Sequence, residues 1–172
     1  NGSPLVLFGF SAGGKLAFRV AQELEQEGLR VSDLILFDAA RYFYPVQFSQ
    51  ADMRDAAAEF LEGVSSRVLR EKALVRIEKY RQFLGDCIES GCVDANIHMV
   101  RAEGSPLTVL GEDGRMLASL DRWADLTKGA FHLHQGSGEH RRMLTSPFLE
   151  RNASLIVTIV SKRGLTPEAD KY

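Results

Sequence analysis

The stretch Leu5–Val20, LVLFGFSAGGKLAFRV, decides how the rest of the chain is read. Leu5 to Phe8 is a short apolar run bounded by Pro4 and Gly9, which suits a buried parallel strand. Helical spacing follows. Leu16, Val20, Ala21 and Leu24 share one face, Lys15, Arg19, Glu23 and Gln26 lie off it, and Gly28 stops the helix. At the junction, Gly9-Phe10-Ser11-Ala12-Gly13 matches G-x-S-x-G. The bare pattern is weakly specific. Between a buried strand and an amphipathic helix it gains meaning, because a tight turn there lifts the serine hydroxyl above the sheet edge. Ser11 is therefore a candidate nucleophile, and the Ala12 N–H, at the helix N-terminus, a candidate donor to a developing oxyanion. The plainer reading is an ordinary glycine-rich turn.

A second buried strand, VSDLILFDAA, ends near Asp38. Strand, helix and strand in so short a span make a βαβ unit, which implies a parallel sheet with a right-handed crossover. From about Ser49 to Ile88 the strand signal disappears. Met53, Ala57, Phe60 and Leu61 form one apolar stripe there, and Leu69, Leu74, Ile77, Tyr80 and Leu84 form another. These helices read as a lid inserted into the sheet domain at 49–88. Strand signals resume at ANIHMVRAEG and GAFHLHQG, with a turn at GEDG and a short helix at LASLDRWADLTKG between them. A last helix is expected from near Pro147 to about Val160, followed by a polar tail.

A serine hydroxyl needs a base, and the base needs an orienting acid. Of the four histidines, His98, His132 and His134 fall within strand patterns, where such side chains are usually packed or solvated. His140 instead follows the glycine loop QGSGE after a strand, where a loop can carry an imidazole over the sheet edge. It is the candidate base. Two aspartates compete as the acid. Asp38 ends the strand after the Ser11 helix, at the same sheet edge, and an aspartate closing LILF needs a partner. Asp113, in GEDGR, follows the next strand, and its plain reading is a turn residue. Asp38 is favoured.

Bulk composition limits the alternatives. A chain of 172 residues with 45% hydrophobic content can bury one sizeable core, so a single domain is expected. A net charge of −2 gives no footprint for nucleic acid or an anionic membrane surface. No apolar run approaches the roughly 20 residues of a membrane-spanning helix, and no signal peptide opens the sequence. Cys87 and Cys92 fit no metal spacing, so reduced thiols in the cytoplasm are the default and no metal is expected.

With those residues in place, LVLFGFSAGGKLAFRVAQELEQEG, LILFDAAR and WADLTKGAFHLHQGSGEHRRML together resemble a known family. It is the terminal (type I) thioesterase domains of nonribosomal peptide synthetases, of the surfactin and fengycin synthetase kind. The resemblance spans nearly the whole chain. It implies an α/β-hydrolase fold: a mostly parallel sheet flanked by helices, with the helical lid at about 49–88. It also implies a triad of Ser11, Asp38 and His140, which supports Asp38 over Asp113, and a packing role for Trp123. The implied substrate is a peptidyl or acyl thioester on the phosphopantetheine arm of a carrier domain, released by hydrolysis or macrocyclisation. No cofactor of its own is then expected. Family members have further strands before the elbow strand, so residues 1–172 are expected to be the C-terminal portion of the domain, with its N-terminal strands as a missing partner. The alternatives are a stand-alone serine esterase or proofreading thioesterase, and a non-catalytic fragment used for docking.

Overall fold

A computed structural model describes residues 4–45, 57–58 and 61–161. In chain order the elements are β1 (Leu5–Phe10), α1 (Ala12–Gln26), β2 (Val31–Phe37), β3 (Arg41–Tyr42), α2 (Arg67–Asp86), β4 (Asn96–Arg101), β5 (Thr108–Leu110), β6 (Met116–Ser119), β7 (Phe131–Gln135) and α3 (Leu149–Ser161). Two compact units result, Asn1–Arg41 with Ser90–Tyr172, and Tyr42–Glu89.

The first unit is built on a four-stranded sheet in the order β1-β2-β4-β7, with every pairing parallel. All seven residues of β2 are buried, as expected for a strand covered on both faces. Leu34 and Leu36 of β2 pack with Ile97 and Met99 of β4 against Phe18 and Ala21 of α1 and against Trp123. On the opposite face Ile35, Phe37 and Val100 pack with Met143 and with Ile159 of α3. Trp123 is fully buried and donates its indole N–H to the Ala39 carbonyl, 2.6 Å away. That bond fixes the chain just beyond β2. Among the described residues β1 has a strand neighbour on one side alone, and Leu5, Val6 and Phe8 are exposed.

Leu5 to Phe8, read from sequence as a buried strand, is instead largely exposed, and the structure corrects the sequence reading in three further places. In α1 the buried stripe is Gly14, Ala17, Phe18 and Ala21, whereas Leu16 and Val20 are exposed and Lys15 is buried. Small residues at 14 and 17 let the helix sit close to the sheet, and the aromatic ring of Phe18 fills the space beyond them. The segment after the third strand of the sheet carries the antiparallel pair β5–β6, unanticipated because three- and four-residue strands show too little alternation. LASLDRWADLTKG accordingly splits into the end of β6 and a 3-10 turn over Asp121–Leu126.

The third correction concerns the second unit. Residues 49–56, 59 and 60 of the expected lid lie outside the described residues, with Met53 and Phe60 among them. Ala57 and Leu61 are buried, but Leu69, Leu74 and Tyr80 of α2 are exposed. Periodicity fixes which side chains share a helix face; it does not supply the surface that covers them. Ser66 caps α2, accepting weakly from the Leu69 N–H at 3.5 Å. No described helix is long and apolar enough to cross a membrane.

The strand histidines form a polar cluster on the α3 face of the sheet. His98 Nε2 lies 3.3 Å from Asp33 Oδ1, and His98 Nδ1 lies 3.1 Å from His134 Nε2. The ring of His132 stacks on that of His98 at 4.8 Å. Burial, the largest influence, holds His98 below its ordinary 6.5 despite the pull of Asp33, and the two neighbouring imidazoles push the same way as burial. The unfolded chain therefore binds a proton at His98 before the folded chain does. Stability should fall as pH drops below about 6.5 and level off below the folded-state value. Urea unfolding followed from neutral pH to well below 6.5 tests this. His98→Gln is expected to flatten the slope, and an unchanged slope would exclude His98 as its source.

Candidate active site

β1 ends at Phe10 and α1 starts at Ala12, so Ser11 alone makes the turn. Its backbone lies at φ 53°, ψ −126°, a sparsely populated region for a residue with a Cβ. Close approach explains two of the glycines beside it. A Cβ on Gly9 would stand 2.5 Å from the Gly13 carbonyl oxygen, and one on Gly14 would stand 2.4 Å from Ala39 Cβ. A Cβ on Gly13, the second glycine of the sequence pattern, would meet nothing within 4 Å. The tight positions are therefore 9 and 14. The Ser11 N–H donates to the Phe37 carbonyl at 2.8 Å, tying the turn to the end of β2. Serine is a favoured helix N-cap, yet the Ser11 side chain makes no capping bond. Its Oγ lies 3.1 Å from His140 Nε2 instead.

Asp38 is the first residue past β2, at φ 45°, a left-handed conformation that aspartate tolerates better than most residues. Its N–H donates to the Val100 carbonyl at 2.8 Å, so the ends of β2 and β4 hold it from below. The carboxylate is buried and accepts three hydrogen bonds. Oδ2 takes them from His140 Nδ1 at 2.7 Å and from the Ser105 hydroxyl at 2.6 Å, and Oδ1 takes one from the Ala102 N–H at 3.0 Å. Burial opposes its charge. The bonds from His140, Ser105 and Ala102 outweigh burial and hold the carboxyl below its ordinary value. An ionised carboxylate only accepts, so His140 Nδ1 carries the proton and Nε2 presents its lone pair to Ser11.

His140 opens a 3-10 turn, His140–Arg142, after the loop 136–139. Gly138 in that loop sits at φ 83°, and a Cβ there would strike the Phe148 ring at 2.7 Å. Asn152 of α3, buried to 1% exposure, anchors the loop with three bonds. Its Oδ1 accepts from the Ser137 N–H, and its Nδ2 donates to the carbonyls of Ser137 and Met143, all within 2.8–2.9 Å. The Phe10 ring stacks on the imidazole at 5.0 Å.

Of the residues singled out from sequence, Ser11, His140 and Asp38 meet at one sheet edge, with Ala12 buried directly behind Ser11. Asp113 does not join them; it lies in the β5–β6 turn, paired with Arg115. Ser105, Asn152 and Phe10 were not anticipated. Phe10 carried a usable signal, since the residue before an elbow nucleophile sits at the strand's end beside it.

The sequence profile of the family described as thioesterase domain matches residues 1–159. Among curated proteins the chain is 28% identical over 169 residues to bacitracin synthase 3 of Bacillus licheniformis, covering 92% of this chain and 2% of that one. It is also 28% identical over 173 residues to surfactin synthase subunit 3 of Bacillus subtilis (strain 168), covering 95% of this chain and 13% of that one. The chain thus spans a small part of those relatives' length. Among solved structures it resembles the SrfTE thioesterase domain that cyclises the lipopeptide antibiotic surfactin. The TM-score is 0.72 at 26% identity, over 92% of this chain and 67% of that one. Human thioesterase 2 shares the fold, with a TM-score of 0.66 at 18% identity over 99% of this chain and 77% of that one. The fold is the α/β-hydrolase fold.

The glycine geometry yields a direct test by chemical denaturation. Gly9→Ala and Gly14→Ala should each destabilise by at least about 1–3 kcal/mol, since backbone or Cβ atoms block the added methyl. Gly13→Ala should be neutral within about 0.5 kcal/mol. Equal effects at positions 9 and 13 would contradict this picture of the turn.

Proposed function

The chain belongs to the thioesterase domain family, and from that premise we propose that it releases a carrier-bound peptidyl or acyl thioester through an acyl-enzyme on Ser11. The observation that carries this reading is the continuous path from Ser11 Oγ to His140 Nε2, 3.1 Å, and from His140 Nδ1 to Asp38 Oδ2, 2.7 Å.

His140 Nε2 takes the proton from Ser11 as Oγ attacks the thioester carbonyl. Asp38 keeps Nδ1 protonated and stabilises the imidazolium that forms. The Ala12 N–H, in the first turn of α1 where amides have no intrahelical acceptor, donates to the oxyanion. The intermediate collapses and expels the phosphopantetheine thiol, which leaves with the proton from His140. Water, or a nucleophile within the peptide, then attacks the ester, giving up its proton to His140, and Ser11 recovers its own. The products are an acid or a macrocycle. Cyclisation is supported by the likeness to the surfactin-cyclising domain.

The thioester arrives on the phosphopantetheine of a carrier domain, the partner suggested by the synthetases the chain resembles. The lid, residues 49–88, is assigned to shielding the acyl-enzyme from water. The setting proposed is the cytoplasm, where Cys87 and Cys92, neither of them in a disulfide, stay reduced.

A fluorophosphonate should add its mass to the full chain at Ser11, and Ser11→Ala should not label. Asp38→Asn should lower thioester turnover roughly 10³–10⁴-fold, the cost of the wrong imidazole tautomer. Labelling at another residue, or full turnover in Asp38→Asn, would contradict the assignment.

A further inference from the structure

We infer that Ser105 is a positioning residue of this site, holding the Asp38 carboxylate ionised and in the rotamer that orients His140. The inference rests on the roles proposed above for Ser11, His140 and Asp38. Its starting point is that the chain leaving β4 grips both oxygens of Asp38. Ala102, the first residue after β4, donates its N–H to Oδ1 at 3.0 Å, and Ser105 donates its hydroxyl to Oδ2 at 2.6 Å. The direction of the second bond is not open, because an ionised carboxylate has no proton to give.

The backbone around Ser105 is constrained to deliver that hydroxyl. Gly104 turns the chain at φ 77°, and Pro106 follows directly. A residue before proline is held away from the helical region, which narrows the positions the Ser105 side chain can reach. The Ala102 bond alone leaves Oδ2 with only His140 as a partner. Because the imidazole stands on a loop and is 41% exposed, it cannot by itself fix the carboxylate. With Ser105 in place, the carboxylate plane is set from the sheet side before His140 docks onto it.

Removing the hydroxyl takes from Asp38 a donor that stabilises its charge, so the carboxylate takes up a proton more readily as pH falls, and the acid limb of the kcat/KM profile moves upward.

The test follows kcat, KM and the pH profile of the full chain on an acyl N-acetylcysteamine thioester. Ser105→Ala, Ser105→Thr and Ser11→Ala are compared, with thermal unfolding as a check on folding. Ser105→Ala should lower kcat roughly tenfold, leave KM within about twofold, and raise the acid limb by roughly half a unit or more. Ser105→Thr, which keeps the hydroxyl, should restore both kcat and the limb. A wild-type profile in Ser105→Ala would overturn the inference while leaving the Ser11 reading intact. So would an equal loss in both variants without movement of the limb, which marks a packing role. Activity surviving in Ser11→Ala would instead overturn the reading on which the inference stands. Should Ser105→Ala melt early, Ser105→Cys supplies a weak donor of similar size and should fall between wild type and a full loss; a wild-type profile there would overturn the inference as well.

Discussion

Asp38 Oδ2 accepts two hydrogen bonds at once, 2.7 Å from His140 and 2.6 Å from Ser105, while Oδ1 accepts a third from the Ala102 amide. The rest of the sheet edge depends on that carboxylate remaining charged in a buried place. Taking a carboxylate out of water costs several kcal/mol. Charge-assisted bonds contribute about 1.5–3 kcal/mol each, so three of them offset that cost, whereas one does not. The lowered pKa of Asp38 expresses the same balance, with burial opposing and the three donors prevailing. A charged Asp38 in turn sets the tautomer of His140, which leaves the Nε2 lone pair facing Ser11.

Four strand ends make this arrangement possible. β1 delivers Ser11, β2 delivers Asp38, the exit from β4 grips Asp38, and the loop after β7 brings His140. Ser11 and Asp38 both adopt positive φ, and backbone bonds lock each of them to a neighbouring strand: Ser11 to Phe37 of β2, and Asp38 to Val100 of β4. Strain of this kind, about 1–3 kcal/mol per residue, persists only where the surroundings over-determine the backbone. Here the surroundings are β2, buried along its whole length, with Trp123 holding the Ala39 carbonyl immediately after Asp38.

The parallel sheet and the convergence of Ser11, Asp38 and His140 were accessible from sequence because each has a local signature. LVLF and LILF are apolar runs, the serine stands at a strand-to-helix junction, and QGSGE is a glycine loop past a strand. What was missed lacks such a signature. Ser105 reaches Asp38 across 67 positions, and nothing periodic marks a serine in a turn as the partner of a distant aspartate. Asn152 sits on a helix whose apolar pattern reads as packing, and its function is visible only once its two bonds to Ser137 and its one to Met143, on either side of His140, are seen. The α1 stripe was misplaced by about a third of a turn, because Gly14 and Ala17 carry little hydrophobic signal while controlling how closely the helix approaches. The exposure of Leu69 and Leu74 has the same root, since a pattern specifies a face without specifying its cover.

The central claim is that Ser11 becomes covalently acylated by the substrate. The measurement that meets it most directly mixes the full chain with a peptidyl N-acetylcysteamine thioester, quenches in acid within the first turnovers, and maps the adduct by mass spectrometry. The account predicts the acyl mass on the peptide containing Ser11, and neither adduct nor turnover in Ser11→Ala. Turnover that survives in Ser11→Ala, or an adduct on any other residue, would contradict it.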